Sequence, residues 1–175
     1  MRAGVWYGYD DGTGTVTNDL PSATAISDRS GSDYAIWMSA TGTTSYGAGI
    51  GVDLNNDTAK LPYDASAYDG FTFWAKGSAT GGSVRFKALI YDIVPPSEDG
   101  GCGEGTDCNN GHGANLTGLS SEWQRFTFTF CDLRQETWGY RVDFDPSQIL
   151  TLEFQGNNGV DFEIWIDDLA FFTVE

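Results

Sequence analysis

The stretch Asp161-Phe-Glu-Ile-Trp-Ile-Asp-Asp-Leu-Ala-Phe-Phe172 carries the clearest structural signal in the closing part of the chain. Its even-numbered residues from 162 to 166 are apolar, whereas Glu163, Trp165 and Asp167 are polar or amphipathic. This period of two predicts a half-buried β-strand. Asp167 and Asp168 are adjacent, so one carboxylate must turn toward the apolar face, where a cation or strong hydrogen bonds must satisfy it. The pair therefore predicts a metal site or a strand-end cap.

Upstream segments repeat the strand pattern, at residues 34–39, 47–54, 68–77, 83–92, 122–132 and 149–155. No window shows helical periodicity, and residues 133–139 offer one helical turn at most. With a short strand near residue 6 and the closing strand, the chain contains about eight strands separated by Gly-, Ser- and Asn-rich turns. The sequence therefore predicts one all-β domain over residues 1–175, a two-sheet β-sandwich or jelly roll rather than a barrel.

Two glycine-rich features each leave a structural and a functional interpretation open. Residues 4–14 contain three aromatic residues followed by an Asp-Gly turn, and the plain interpretation is a strand and a turn. The alternatives are that Asp10 or Asp11 helps to bind a cation, or that Trp6 and Tyr7 reach a ligand groove. Gly47, Gly49 and Gly51 remove side chains from one face of a strand. Such glycines mark either close approach of another group or a bulge.

The charge of the chain restricts its partners. Asp and Glu number 25 against 9 Lys and Arg, giving a formal net charge of -16. So negative a surface repels nucleic-acid phosphates and anionic membranes, and no apolar run reaches the roughly 20 residues of a membrane span. Neutral sugars and cations remain compatible with it.

The three cysteines are expected to have different structural roles. Cys102 and Cys108 lie in a Gly-rich loop, close enough for a local disulfide in an oxidising compartment. With His112 they could instead bind zinc, but their spacing exceeds the usual one and no fourth ligand is evident. Cys131 falls in a strand pattern and is expected to be a small buried side chain.

Polar and aromatic side chains mark a candidate ligand surface. Arg85, Lys87, Tyr91, Arg125 and Thr127 are expected to share an outward sheet face if their strands are neighbours. Sugars suit such a mixture, because flat rings cover their C–H faces and planar donors reach their hydroxyls. An ordinary solvated sheet face is the plain alternative. Residues 95–119 form a long connection of the kind that often carries function.

Catalytic motifs are scarce. The sequence contains no His-x-His, His-Glu-x-x-His or Gly-x-Ser-x-Gly motif and no glycine-rich phosphate loop. The many carboxylates are most simply surface and turn residues, although a glycosidase-type pair stays open. We therefore expect a non-enzyme, with a small glycan-active enzyme and an adhesion or structural sandwich as alternatives.

Four motifs together carry a family resemblance, and they occur in order: Phe71-Thr-Phe-Trp-Ala-Lys-Gly77, Trp123-Gln-Arg-Phe-Thr-Phe-Thr-Phe130, Phe144-Asp-Pro146 with residues 149–155, and Trp165-Ile-Asp-Asp-Leu-Ala-Phe171. This succession resembles the galactose-binding-like jelly-roll carbohydrate-binding modules, and the family-eleven type most closely. The resemblance covers roughly residues 5–172. It implies a non-catalytic module of a secreted bacterial polysaccharide-degrading system, whose parent chain carries a catalytic domain.

The resemblance also implies a binding site. In such modules a concave sheet binds one β-glucan chain, cellulose included, and the matching residues here are Tyr46, Arg85, Lys87, Tyr91, Asp92, His112, Arg125 and Thr127, with Trp138 and Tyr140 at the groove edge. A structural calcium held partly by the last strand would match Asp167 or Asp168. Affinity for the glycan is expected to be modest, about 10⁻⁵ M, since most contacts only replace water.

Overall fold

A computed structural model describes residues 4–103 and 105–174, and within them the chain forms eleven β-strands and no α-helix. The strands are β1 (Trp6–Asp10), β2 (Thr15–Asn18), β3 (Thr24–Ala25), β4 (Tyr34–Thr41), β5 (Ala48–Asp53), β6 (Gly70–Thr80), β7 (Val84–Ile90), β8 (His112–Asn115), β9 (Gln124–Thr129), β10 (Ile149–Gly156) and β11 (Asp161–Phe172). Short 3₁₀ turns occur at Tyr91–Ile93, Pro96–Glu98, Phe130–Asp132 and Pro146–Gln148.

The strands form two antiparallel sheets. The five-stranded sheet has the order β1-β5-β10-β7-β8, and the six-stranded sheet has the order β2-β4-β11-β6-β9, with β3 paired to β4. The predicted all-β sandwich is confirmed. The bounds of β11 agree with the sequence pattern, whereas β8 lies inside the long connection at residues 95–119, where the sequence showed no strand signal.

Phenylalanines join the two sheets. Phe71 and Phe73 of β6 contact Phe86 of β7 and Phe154 of β10, and all four are fully buried. The rings of Phe73 and Phe154 meet edge-on, with centroids 4.9 Å apart, a favoured geometry for aromatic pairs. Because these residues alternate along their strands, the core determines which side chains of each strand face outward.

A β-bulge interrupts β11 at the paired aspartates. The register with β6 shifts between Asp167 and Ala170, and Asp168 has a left-handed φ of 49°. Because of the extra residue, the side chains that face the core are even-numbered up to Ile166 and odd-numbered after the bulge. Phe171 therefore faces inward and packs on Phe71. The expectation that one carboxylate turns into the core is therefore wrong, because the bulge absorbs the break in alternation.

Arg29 satisfies both of these carboxylates. Its guanidinium lies 2.5 Å from Asp167 and also contacts Asp168. The Arg29 side chain is 8% exposed and lies over the rings of Trp74 and Trp123, an arrangement favourable for a cation. The loop that carries Arg29 thus covers part of the outer face of the six-stranded sheet.

Cys131 lies in the 3₁₀ turn after β9 and is exposed with a free thiol. The expected buried position is wrong because β9 ends at Thr129, three residues before the end of the predicted strand at residue 132. The side chain and backbone N–H of Thr129 bond to Asp132 and start the turn that carries Cys131.

Arg29→Met is expected to destabilise the protein by about 2 kcal/mol, because it leaves the mostly buried Asp167 carboxylate without its cation. The measurement is urea unfolding, with Arg125→Met, an exposed arginine on the same sheet, as the control.

Thermal melting of the wild-type protein with and without EDTA tests the calcium prediction. The ion pair predicts no EDTA effect, and a fall in melting temperature would show that a cation binds.

Candidate functional site

A groove of about 760 Å³ opens on the outer face of the five-stranded sheet. Four aromatic side chains surround it, together with carboxylates, amides and one ammonium group. Its lining residues are Tyr7, Tyr9, Ser45, Tyr46, Lys87, Glu98, Cys108, Asn109, Glu136, Trp138, Glu153, Gln155, Asn157 and Asn158.

One row of cross-strand neighbours forms the centre of the groove floor. Strand register aligns Tyr7, Gly51, Glu153, Lys87 and Gly113 across the whole sheet. A Cβ atom at Gly51 would overlap the Tyr7 ring. The tyrosine therefore lies over β5 because that position has no side chain.

The adjacent row repeats this arrangement with Tyr9, Gly49, Gln155 and Arg85. A Cβ at Gly49 would come within 2.5 Å of the Tyr9 hydroxyl oxygen. The alternating glycines of β5 thus accommodate two tyrosine rings, which is the close approach that the sequence left open against a bulge.

Glu153 lies at the centre of the hydrogen-bond network on this floor. Its carboxylate accepts from the hydroxyl of Tyr9 at 3.0 Å and of Tyr7 at 3.5 Å, and it pairs with Lys87 Nζ at 2.8 Å. Lys87 also donates to Gln155 Oε1 at 2.5 Å. These contacts fix the orientation of each polar group before any ligand arrives.

The two tyrosines stay protonated over the ordinary pH range. Burial raises the pKa of Tyr7 and of Tyr9 well above the usual phenol value, and the nearby negative charge of Glu153 raises it further. Their hydroxyl groups therefore act as neutral donors to Glu153, and their rings remain uncharged surfaces.

Tyr46 forms one wall of the groove. Its side chain is 54% exposed, its hydroxyl donates to the carbonyl of Asp10 at 2.6 Å, and its own carbonyl accepts from Gln155 Nε2 at 2.7 Å. The turn before it depends on Asp11, which accepts from the backbone N–H groups of Ser45 and Gly47. The Asp-Gly turn of the opening segment thus has a structural role.

Trp138 forms the facing wall and is 47% exposed. Its indole N–H donates to Glu136 Oε2 at 3.2 Å, and Glu136 Oε1 accepts from Asn157 at 3.2 Å. The ring plane is therefore held beside a carboxylate and an amide. Flat rings flanked by planar acceptors and donors suit a polyhydroxylated, uncharged ligand.

The predicted ligand residues fall into separate groups. Tyr46, Lys87 and Trp138 line the groove, and Arg85 lies on the same sheet face, with its guanidinium donating to the carbonyl of Arg134. Tyr140, exposed, follows Trp138 on the same segment without lining the groove. Four of these five side chains therefore belong to one sheet face or its rim.

Tyr91 and Asp92 lie beyond the end of β7, in a 3₁₀ turn outside the groove lining. The Tyr91 ring approaches Gly101 of the long connection, where a Cβ would overlap it. The chain turns here because Pro95 and Pro96 cannot extend the strand ladder.

His112 faces the opposite side of β8. It pairs with Ala88, an inward residue, and is 4% exposed. Its Nε2 contacts the carbonyl of Val142 at 3.0 Å, and its ring packs edge-on against Phe144. Burial lowers the pKa of His112. It therefore lies apart from the groove floor.

The expected shared face of Arg85, Lys87, Arg125 and Thr127 is wrong, because β9 belongs to the six-stranded sheet. Arg125 donates from Nε to Thr72 at 2.8 Å, on the outer face of that sheet. Sheet membership depends on long-range pairing, which alternation along one strand does not reveal.

Several groove residues, above all Tyr9, Glu153 and Gln155, were not predicted from the sequence. A place for Tyr7 in a ligand groove was predicted only as the alternative to a plain strand and turn. The available signal was the match between two tyrosines at 7 and 9 and two glycines at 49 and 51, both with a spacing of two. That match indicates cross-strand neighbours, but only once β1 and β5 are known to pair.

The predicted disulfide between Cys102 and Cys108 is confirmed.

Among residues 4–103 and 105–174, no cluster of three or more His, Cys, Asp and Glu side chains could hold a metal ion. The Asp167–Asp168 pair is bonded to Arg29, and the calcium implied by the resemblance stays a prediction. No helix in the described ranges is long and apolar enough to cross a membrane.

Several solved structures share the fold. A family 11 carbohydrate-binding module from Clostridium thermocellum, in complex with a β-1,3-1,4-mixed-linked tetrasaccharide, has a TM-score of 0.64 and 19% identity over 97% of this chain and 89% of that chain. The family 30 module of cellulosomal cellulase Cel9D-Cel44B of the same organism has a TM-score of 0.55 and 15% identity, covering 99% of both chains.

An exo-β-agarase also contains the fold, with a TM-score of 0.56 and 9% identity over 97% of this chain but only 23% of that one. No curated protein sequence matches the chain. The family model described as carbohydrate binding domain 30 matches residues 2–173, nearly the whole chain. The resemblance to carbohydrate-binding modules is thus confirmed, and this chain belongs to the carbohydrate binding domain 30 family.

Proposed function

We propose that this protein is a non-catalytic module that binds a neutral β-glucan chain in the groove of the five-stranded sheet. The observation that carries the proposal is the Glu153 network between two tyrosine rings, with Tyr46 and Trp138 on the walls. The mixed-linked tetrasaccharide held by the similar family 11 module supports a β-glucan as the ligand class. Confirmed membership in a carbohydrate-binding family supports a binding role.

The charge of the groove favours uncharged chains. Glu98, Glu136 and Glu153 line it, while Lys87 is the one cation among the lining residues and already pairs with Glu153. A ligand carboxylate about 5 Å from one of these groups would cost about 3 kcal/mol at an effective dielectric constant of about 20. Acidic glycans are therefore disfavoured.

A place outside the cell, in a bacterial polysaccharide-degrading system, follows from the same proposal. The disulfide between Cys102 and Cys108 supports an oxidising compartment. A module without its own chemistry gains its use by holding a joined catalytic domain near its substrate, which raises the effective substrate concentration. We expect the parent chain to carry such a domain.

Affinity electrophoresis with hydroxyethyl cellulose and carboxymethyl cellulose tests the ligand class, since both have a β-glucan backbone and only the second is anionic. We expect retardation by hydroxyethyl cellulose and by mixed-linked β-glucan, and weak or no retardation by carboxymethyl cellulose. Xylan and mannan complete the panel. Mobility unchanged by every glucan would contradict the proposal.

Reducing-sugar release from the same polysaccharides tests the enzyme alternative. We expect no release above the blank at any pH from 4 to 8. Sustained release, abolished in a Glu136→Gln variant, would favour a carboxylate-based hydrolase instead.

Trp138→Ala and Tyr46→Ala should each weaken glucan binding about tenfold, or about 1.4 kcal/mol, because each removes an exposed ring from a groove wall. Isothermal titration with a mixed-linked tetrasaccharide measures the effect. Tyr34→Ala and Arg125→Ala are the matched controls, as both side chains are exposed on strands of the other sheet. A loss of affinity in the controls rather than in the groove variants would assign the site to the six-stranded sheet.

Gly51→Ala should weaken binding about tenfold or more, because the added methyl group displaces the Tyr7 ring from the floor. Gly103→Ala is the control, since a Cβ there meets no atom within 4 Å. Equal affinities of the two variants would show that the position of the Tyr7 ring does not matter for binding.

A further inference from the structure

We infer that Asn110, secured by the neighbouring Cys102–Cys108 disulfide, is a positioning residue that sets the place of Trp138 and Glu136 at the groove wall. The inference rests on the proposed function of the groove, and it concerns how the wall is built. Neither Asn110 nor the disulfide was expected to act on ligand binding.

The wall has little sheet structure of its own. Arg134 forms an isolated bridge to Gly113, and residues 135–148, which are all described, form no strand before β10 begins at Ile149. Backbone groups without a ladder must find other partners, since unpaired buried N–H and C=O groups are costly. The position of this segment therefore depends on the side chains and loops beneath it.

Asn110 supplies these partners. It is 1% exposed, and its Nδ2 donates to the carbonyl of Glu136 at 3.1 Å and also to the carbonyl of Trp138. Its Oδ1 accepts from the backbone N–H of Glu136 at 3.1 Å. One buried amide thus bonds both residues whose side chains form the wall.

The loop before Asn110 also touches the wall directly. The backbone N–H of Tyr140 donates to the carbonyl of Asp107 at 3.0 Å. Gly139 has a φ of 72°, and a Cβ there would lie 2.7 Å from that same carbonyl oxygen. The turn after Trp138 is therefore packed onto the loop that contains Asp107 and Asn110.

The disulfide fixes this loop to the sandwich. Cys102 is 1% exposed, and its backbone N–H donates to Val94 at 2.9 Å, just past β7. Cys108 is bonded to it and precedes Asn109, whose N–H donates to Ile93 at 2.6 Å. The disulfide reduces the number of conformations open to this loop and so favours the one in which Asn110 contacts the wall.

The two side chains of the wall are hydrogen-bonded to each other. Trp138 Nε1 donates to Glu136 Oε2, and Asn157 donates to Glu136 Oε1 from the turn between β10 and β11. Loss of the Asn110 contacts would therefore displace both the ring and the carboxylate that a glucan meets.

The first test needs no ligand. The chain has six tryptophans, so ¹⁵N-labelled protein should give six indole N–H resonances, and Trp138→Phe identifies the one from Trp138. In Asn110→Ala we expect this resonance to move or broaden while the other five stay in place. Thr72→Val, which removes a buried hydroxyl of the other sheet, is the control for general destabilisation.

The second test is a double-mutant cycle with mixed-linked β-glucan tetrasaccharide as the probe. Asn110→Ala should weaken binding about five- to tenfold in the wild-type background and less than twofold in a background that carries Trp138→Ala and Glu136→Ala, because the residue acts through these two side chains. Thr72→Val should leave the affinity unchanged in both. Additive losses would overturn the inference.

The disulfide is tested with Cys102→Ala/Cys108→Ala, and Cys131→Ser, an exposed free cysteine, is the control. We expect the double variant to move the Trp138 resonance and to weaken binding about threefold or more, whereas Cys131→Ser should do neither. An unmoved resonance in both Asn110→Ala and the double cysteine variant would overturn the inference. If the wild type binds no glucan, the proposed function fails, and the resonance still decides whether Asn110 positions the wall.

Discussion

The edge-on contact of Phe73 with Phe154, and the phenylalanine layer around it, is the constraint on which both faces of this protein depend. A strand buries alternate residues, so Leu152 and Phe154 can enter the core only if Glu153 and Gln155 point out of it. Formation of the core and placement of the groove floor are therefore one event. A shift of β10 by one residue would turn the Glu153 carboxylate from the groove floor into the apolar core and move Leu152 and Phe154 out of the core, which makes the register strongly determined.

The same constraint explains the bulge in β11. Ile164 and Ile166 face the core with even numbers, whereas Phe171 faces it with an odd one, so one residue must be taken out of phase. Asp168 adopts the left-handed conformation that aspartate tolerates better than most residues. Its carboxylate and that of Asp167 then both reach Arg29. The two adjacent carboxylates are thus placed at the bulge that restores core packing, with a guanidinium as their counter-ion.

The sequence predicted what is local and failed where partners are distant. Alternation identified eight of the eleven strands and the inward phenylalanines, and cysteine spacing identified the disulfide. Alternation also predicted outward positions for Arg85 and Arg125 correctly, yet it placed them on one surface although their strands lie in different sheets. The roles of Tyr7 and Glu153 depend on β1, β5 and β10 being neighbours, which no single strand records.

The groove combines two kinds of structure with different mechanical properties. Its floor consists of ladder-bonded strands, where register fixes Tyr7, Tyr9 and Glu153 and where even one methyl group at Gly51 has no room. Its Trp138 wall stands on a segment without a ladder, held by the side-chain amides of Asn110 and Gln135 and by a loop that carries the disulfide. We expect such a floor to set the ligand class of the proposed site, because strand register and the ion pair of Lys87 with Glu153 fix the positions of its charges and rings. We expect affinity within that class to depend on the wall, because a ring on irregular chain can shift without any change to the sheet.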